Sequence, residues 1–191
     1  MKRIINSSIL PLAFFTTVVV AQAQEKPSFS VETGALFWAF QGYSISGYYY
    51  VPNSKFSVGV GIEGLTYDNE DLMDAAFENG DQLDEVQLLY LARGEVRYHF
   101  KEHGEGLYTS LRFGYEEWDV SLGDDTQRVQ NGFVSPTIGY IWYPWERKGF
   151  LVQPFFTGIF IIGEGRETVQ DLEVDLRSFL PNPGLTLGWK F

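Results

Sequence analysis

Apolar and polar side chains alternate along extended stretches of this chain. Between Val86 and Phe100 the even-numbered positions carry no charge, whereas the odd-numbered positions include Arg93, Glu95 and Arg97. A period of two residues is typical of a β-strand whose two faces meet different surroundings. The pattern therefore predicts an all-β protein. Eight strands are predicted, at Phe29–Ala39, Tyr43–Val51, Phe56–Tyr67, Glu85–Phe100, Leu107–Leu122, Phe133–Tyr143, Phe150–Ile162 and Phe179–Phe191.

The make-up of the two faces indicates which one points outward. In the third predicted strand the apolar positions alternate with Ser57, Gly59 and Gly61, small residues that suit the crowded interior of a small ring. Aromatic residues cluster near the strand ends, as they do at two membrane interfaces. We therefore predict an eight-stranded antiparallel up-and-down transmembrane barrel with apolar faces outward. The alternative is a soluble, lipocalin-like exported barrel that binds an apolar ligand inside.

The connections between the predicted strands alternate in length. Short ones follow the second, fourth and sixth strands. Long polar ones are predicted at Asp68–Asp84, Gly123–Gly132 and Gly163–Ser178. This asymmetry is typical of outer-membrane barrels, whose short turns and termini lie in the periplasm. The tight turn at Gln41–Gly42 departs from it. Four prolines also fall in or near strands, where bulges or later strand starts are expected. They are Pro136, Pro154, Pro181 and Pro183.

The N-terminus predicts export. Lys2 and Arg3 precede an apolar run, and a small-x-small site follows at Ala21 to Ala23. We interpret residues 1–23 as a signal peptide and residues 24–191 as one barrel domain. After cleavage, 12 basic side chains face 25 acidic ones, a net charge of about −13 that argues against nucleic acid as a partner. The sequence contains no cysteine, and no cofactor or metal site is predicted.

The C-terminal strand carries the most specific motif. Leu185, Leu187, Trp189 and Phe191 alternate with small or polar residues, and the chain ends on Phe191. This pattern resembles the C-terminal signature of small bacterial outer-membrane β-barrels of the OmpA/OmpX type. The resemblance implies an outer-membrane location, contact with membrane lipid and lipopolysaccharide, recognition of the terminal strand by the barrel-assembly machinery, and a monomer. It carries over no residues beyond these four.

If the polar faces line the lumen, their charges must be paired there. Strand heights place Glu95 beside Arg112 and Glu63 beside Arg93. Arg97 and Glu116 complete a set of three positive and three negative charges, and Glu32 is placed to meet Lys190. We interpret these residues as a salt-bridge network that plugs the lumen, because an eight-stranded ring is only wide enough for side chains. A narrow, selective pore is the alternative.

Two further features leave alternatives open. Small outer-membrane enzymes that modify lipid A need a His, a Ser and a carboxylate, and His99, Ser110 and Glu95 share the predicted interior face. We nevertheless expect no catalysis, because an inward cluster has no obvious access to lipid. The acidic segment 68–85 lacks the spacing of a calcium loop. It is expected to be a solvated, self-repelling loop, with cation bridging to lipopolysaccharide as the weaker hypothesis.

Overall fold

The computed structural model describes residues 27–191 apart from 40, 68, 102–103, 146–148 and 164–165. The predicted signal peptide, residues 1–23, lies outside the described residues and stays a prediction. No helix within the described part of the chain is long and apolar enough to cross a membrane.

Eight strands close into one antiparallel barrel, so the predicted fold class is confirmed. The barrel strands are β1 (Ser28–Gly34), β2 (Tyr43–Tyr50), β3 (Phe56–Tyr67), β5 (Glu85–His99), β6 (Gly106–Leu122), β7 (Asp125–Ile141), β8 (Gly149–Ile162) and β11 (Phe179–Lys190). Each strand pairs with its neighbours along the chain, and β1 pairs with β11 to close the ring. In this closure Ser30 lies opposite Lys190 and Gly34 lies opposite Thr186.

The remaining elements lie in connections at one end of the barrel. They are α1 (Ala35–Ala39), α2 (Glu70–Ala76), β4 (Phe77–Glu78), a 3-10 turn (Gly80–Gln82), β9 (Arg166–Val169) and β10 (Leu172–Leu176). Strands β4, β10 and β9 form a separate small sheet. We call α2, the 3-10 turn and this sheet the cap, and the barrel end that carries them the capped end. The opposite end is the short-turn end.

The predicted orientation of the strand faces holds over the half of the barrel nearer the short-turn end. Val58 and Val96 are each 41% exposed on the outer wall, whereas Glu95 is 2% and Arg97 1% exposed inside. This arrangement is the reverse of a soluble barrel, in which the apolar face would be enclosed. Apolar outer walls and a polar interior are what a barrel in a bilayer requires.

Nearer the capped end the prediction for the fourth strand is wrong. Leu89 is an extra residue in β5, because Leu88 pairs with Trp118 and Tyr90 pairs with Glu117. Such a bulge reverses the alternation, since a one-residue slip moves each following side chain to the other face. Val86 and Leu88, predicted to face outward, are therefore buried on the inner side.

Two predicted connections also differ from the structure. The segment Gly123–Gly132 is not a long loop, because β6 and β7 continue as a paired hairpin up to Leu122 and Asp125. The positive φ of Gly123, 58°, allows this tight reversal. The first strand ends at Gly34 rather than Ala39, and α1 occupies the rest of the span.

The four strand prolines lie where the barrel has few hydrogen bonds to lose. The β7–β8 ladder is interrupted beside Pro136 and Pro154, and Trp142 and Val152 bridge it again further along. Just after β11, the Phe191 amide donates to Phe29 of β1 at 2.8 Å, so odd-numbered residues of this segment direct their backbone groups toward β1.

Toward the capped end, the pairing of β1 with β11 ends at Gly34 and Thr186. Pro181 and Pro183 are odd-numbered and lie beyond this last pair, nearer the capped end. Their backbone nitrogens therefore face the side where no β1 residue remains to accept a hydrogen bond, and the lack of an N–H group costs nothing there. The prediction of bulges or a later strand start at Pro181 and Pro183 is wrong, because β11 begins at Phe179 and pairs with β8 without a register shift.

Candidate functional site

Glu95 is the centre of an ionic network across the lumen. Its carboxylate contacts Arg93 Nη1 at 2.7 Å, Arg97 Nε at 2.8 Å and Arg112 Nε at 3.2 Å. Tyr48 donates a further hydrogen bond from its hydroxyl at 2.6 Å. Three hydrogen-bond donors and the charge of Arg112 compensate the loss of water that burial imposes on this carboxylate.

Arg97 connects this centre to the closing strand β1. Its Nη1 and Nη2 donate to the two carboxylate oxygens of Glu32 at 3.1 and 3.0 Å, and Nη1 also donates to Gln153 Oε1. The guanidinium lies 3.4 Å above the centre of the Tyr48 ring. These contacts span β1, β2, β5 and β8, so one side chain joins opposite walls of the barrel.

Arg93 extends the network toward the capped end. It donates to Glu63 Oε1 at 3.1 Å and to Ser46 Oγ at 2.8 Å. The network therefore holds three arginines and three glutamates, and its formal charges cancel. The predicted neighbours Glu95 and Arg112, and Glu63 and Arg93, are brought together.

Glu116 has a different contact from the one expected. Glu116 lies inside, 3% exposed, and accepts a hydrogen bond from Asn131 Nδ2 at 2.8 Å. Lys190 Nζ lies 3.7 Å from the centre of the Tyr50 ring, and Glu32 forms an ion pair with Arg97. The expected meeting of Glu32 with Lys190 stays a prediction.

The capped end of the lumen is filled by an apolar core that the sequence analysis missed. Phe77 of the cap is fully buried and packs edge-on against Trp118 at 5.6 Å, and Trp118 stacks on Tyr67 at 6.2 Å. The buried members from the barrel are Leu65, Val86, Leu88, Leu91, Trp118, Val120, Val129 and Phe133. Those from the cap and its connections are Met73, Ala76, Phe77, Leu83, Val169, Val174 and Leu176.

Polar contacts fasten the cap to itself and to the barrel rim. Arg177 donates to the Asp74 carboxylate at 3.0 Å, which joins the two long connections. At the rim, the Gly123 amide donates to Asp84 at 2.6 Å and Gln170 Nε2 donates to the Leu122 carbonyl at 2.7 Å. The expectation of a self-repelling loop over 68–85 is wrong, because Met73, Phe77 and Leu83 within it are buried, whereas its described acidic residues are exposed.

His99 has a different serine partner from the one predicted. Its Nε2 lies 2.8 Å from Ser57 Oγ, and the two residues are 2% and 0% exposed. Ser110 also faces the lumen, but its hydroxyl has no hydrogen-bond partner among the described residues, and neither does His99 Nδ1. A catalytic histidine needs an orienting acceptor at that second nitrogen, which this pair lacks within the described chain.

The C-terminal motif lies on the outer wall. Leu185, Trp189 and Phe191 are 37, 52 and 65% exposed, and Leu187 shares their face. On β6 the outward positions from Leu107 to Tyr115 are apolar apart from Thr109, whereas Glu117 and Asp119 follow. Nine residues at about 40° tilt span roughly 23 Å, close to the ~25 Å apolar band of membrane barrels.

A closed eight-stranded ring with an apolar outer band, exposed aromatic residues along it and a polar lumen defines a transmembrane β-barrel of the outer-membrane type. The fold of known proteins agrees. The N-terminal β-barrel domain of Pseudomonas aeruginosa OprF superposes with a TM-score of 0.52 at 16% identity, covering 89% of this chain and all of that one. A major outer membrane protein from Thermus thermophilus superposes with a TM-score of 0.58 at 14% identity, covering 87% of this chain and all of that one.

The sequence matches no protein-family model and no curated protein. The likeness therefore concerns the fold, and the predicted resemblance to small outer-membrane barrels is confirmed at that level.

Proposed function

We propose that the protein is a non-enzymatic outer-membrane β-barrel with a structural or surface-interaction role and a lumen that does not conduct. The observation that carries this proposal is the filling of the lumen at two levels. The ionic network centred on Glu95 crosses it nearer the short-turn end, and the apolar core beneath Phe77 fills it at the capped end. Arg97, Tyr48 and Gln153 are at most 2% exposed, so water does not reach the centre of the network.

The same architecture supports the proposed orientation and partners. The short turns and both termini lie in the periplasm and the cap lies outside the cell, since outer-membrane barrels carry their longer connections outside. The outer wall contacts membrane lipid and lipopolysaccharide. The barrel-assembly machinery recognises the strand that ends at Phe191, and the barrel functions as a monomer.

The ordered cap supports a role at the cell surface. Its exposed side chains include Glu70, Asp71, Asp74 and Asp81, held above the apolar core by α2 and the 3-10 turn. The Asn69 side chain caps α2 by accepting from the Leu72 amide at 3.2 Å. A partner would meet a preformed surface, so binding would cost little ordering of the loop.

Conductance in planar bilayers tests the sealed lumen. Detergent-folded protein, shown to be folded by faster migration of the unheated form on a gel, is expected to give no current steps. A porin in the same bilayer shows that insertion and detection work. Steps from the native protein whose size changes in Arg97→Ala would refute the proposal, because they would place the current path through the network.

Two measurements separate the rival functions. Cells with and without the protein are expected to have the same lipid A mass spectrum. A new lipid A species that disappears in Ser57→Ala would instead assign an enzymatic role to the His99 pair. Membrane fractionation is expected to require detergent for release, whereas release by buffer alone would favour a soluble, ligand-binding barrel.

A further inference from the structure

The barrel wall has a window beside its closing strand. In the ring order β1 lies between β11 and β2, but its last pairs are Gly34 with Thr186 and Glu32 with Ser46. Beyond these pairs, β11 continues to Phe179 with no barrel strand on that side. Neighbouring strands lie about 4.8 Å apart, so the missing strand leaves about 10 Å between β11 and β2.

Helix α1 fills this window. Its five residues contact β11, β2 and β3, and none of them is buried. Leu36 and Trp38 are 45 and 61% exposed, whereas Phe37 packs inward against the apolar core. A single helical turn, held by a described backbone bond from the Gly42 amide to the Phe37 carbonyl at 2.7 Å, is fixed less firmly than a strand hydrogen-bonded on both sides.

Behind α1 lies a cavity of about 100 Å³. Its inner lining is formed by Phe37, Leu65, Tyr67 and Phe155, which all belong to the apolar part of the lumen or border it. Leu185 of the outer wall also lines it, so the cavity reaches from the lumen to the outer surface.

Two glycines keep the cavity open. A Cβ atom on Gly184 would meet the Phe155 ring, and one on Gly34 would come 2.8 Å from the Phe37 ring. Side chains at these two positions would therefore occupy the space or displace the rings. Among the lining residues, Asn182 supplies an amide side chain.

We infer that this window admits the end of one acyl chain of a surrounding membrane lipid, which binds among Phe37, Tyr67 and Phe155. The inference rests on the proposed membrane location, because lipid is then the solvent outside Leu36 and Leu185. An apolar cavity of 150 Å³ holds benzene, so one of about 100 Å³ takes only the last few carbons of a chain. Arg112 of the ionic network lies 4.6 Å from the centre of the Phe155 ring, so a chain that reached past this ring would meet a buried charge, and only the chain end is expected to enter.

Tryptophan quenching by brominated lipid tests the inference. Trp118 is an interior reporter, because it is 5% exposed and stacks on Tyr67 of the cavity wall. The other four tryptophans are changed to Phe, and the protein is folded into vesicles of acyl-dibrominated phosphatidylcholine or of its unbrominated parent. The control is a variant with all five tryptophans changed to Phe and with Phe113→Trp, a position 51% exposed on the outer wall.

Quenching of Trp118 to at least half the extent of the Phe113→Trp probe is expected. Asn182→Asp, which adds a charge to the cavity wall, should reduce the Trp118 quenching several-fold, while the similarly sized Asn182→Leu retains it. Both variants are first shown to fold by their gel migration. A quenched outer probe with an unquenched Trp118 overturns the window alone, and so does equal quenching in both Asn182 variants. If neither probe is quenched, the membrane location fails as well.

Discussion

Replacing Glu95 by Gln should destabilise the barrel more than any other single removal of charge. The native network has three positive and three negative side chains, and Glu95 contacts all three arginines. In Glu95→Gln, Arg97 retains Glu32 and Arg93 retains Glu63, but Arg112 loses the carboxylate of its ion pair. Leaving one buried charge without compensation costs about 3–5 kcal/mol.

The free energy of unfolding measures this cost. Urea unfolding in detergent micelles, followed by tryptophan fluorescence and extrapolated linearly, gives the loss in Glu95→Gln. The matched control is Asp74→Asn in the cap, whose ion pair with Arg177 is exposed, with side chains 52% and 39% accessible. An exposed pair contributes about 0–1 kcal/mol, so the control should be nearly neutral.

A second variant shows whether unpaired charge is the cause. Glu95→Gln combined with Arg112→Met removes one charge of each sign and leaves the two remaining arginines with one carboxylate each. It should recover a large part of the lost stability, since removing both partners of a buried pair is often far less costly than removing one. If the double variant is less stable than Glu95→Gln alone, or if Glu95→Gln costs under about 1 kcal/mol, the reasoning about charge balance is wrong.

Three further predictions address the cap, the C-terminus and the bulge. Phe77→Ala should destabilise the cap by about 3–5 kcal/mol, because the ring is fully buried. Limited proteolysis should then cut the 68–84 connection, while the barrel keeps the faster gel migration of the unheated protein. Unchanged protection from the protease would contradict the packing of Phe77. Phe191→Ala should lower the folded fraction in cells but scarcely change the stability of refolded protein, since this side chain is 65% exposed; equal yields would remove its role in assembly. Deleting Leu89 should leave Val86 and Leu88 facing inward and change stability little in urea unfolding, because removing the extra residue turns the bulge into a regular ladder; a loss of several kcal/mol would refute the bulge.

The half of the barrel nearer the short-turn end was predictable, because apolar and polar residues alternate strictly there and the two strand faces differ sharply in polarity. Between Arg93 and His99 each inward residue is polar or charged, and each outward one is apolar or glycine. Charge pairs between neighbouring strands could then be predicted from each residue's distance from the short turns, as for Glu95 and Arg112. The pairing of Arg97 with Glu32 was missed because it crosses the lumen, and sequence height gives no distance across a ring.

The capped half was mispredicted for physical reasons that act locally. Leu89 is one extra residue among apolar neighbours, so the alternation shows no break where the faces exchange. The hairpin joining β6 and β7 carries polar outward residues such as Gln130 and Arg128, which hid its inner positions Val129 and Phe133. Apolar residues within the acidic 68–85 segment were the available signal, because Met73, Phe77 and Leu83 have no reason to lie in a solvated loop.

The small sheet of the cap joins segments that are distant along the chain. Residues Phe77 and Glu78 pair with Leu176 and Asp175, so roughly half the sequence separates the two partners. Contacts of such separation form late, because the intervening chain must first be confined. Both connections must already have reached the same side of the membrane for them to meet. The cap can therefore form only after β8 has inserted beside the earlier strands. A protease that cuts only chains without a formed cap would measure the fraction of molecules whose insertion is incomplete.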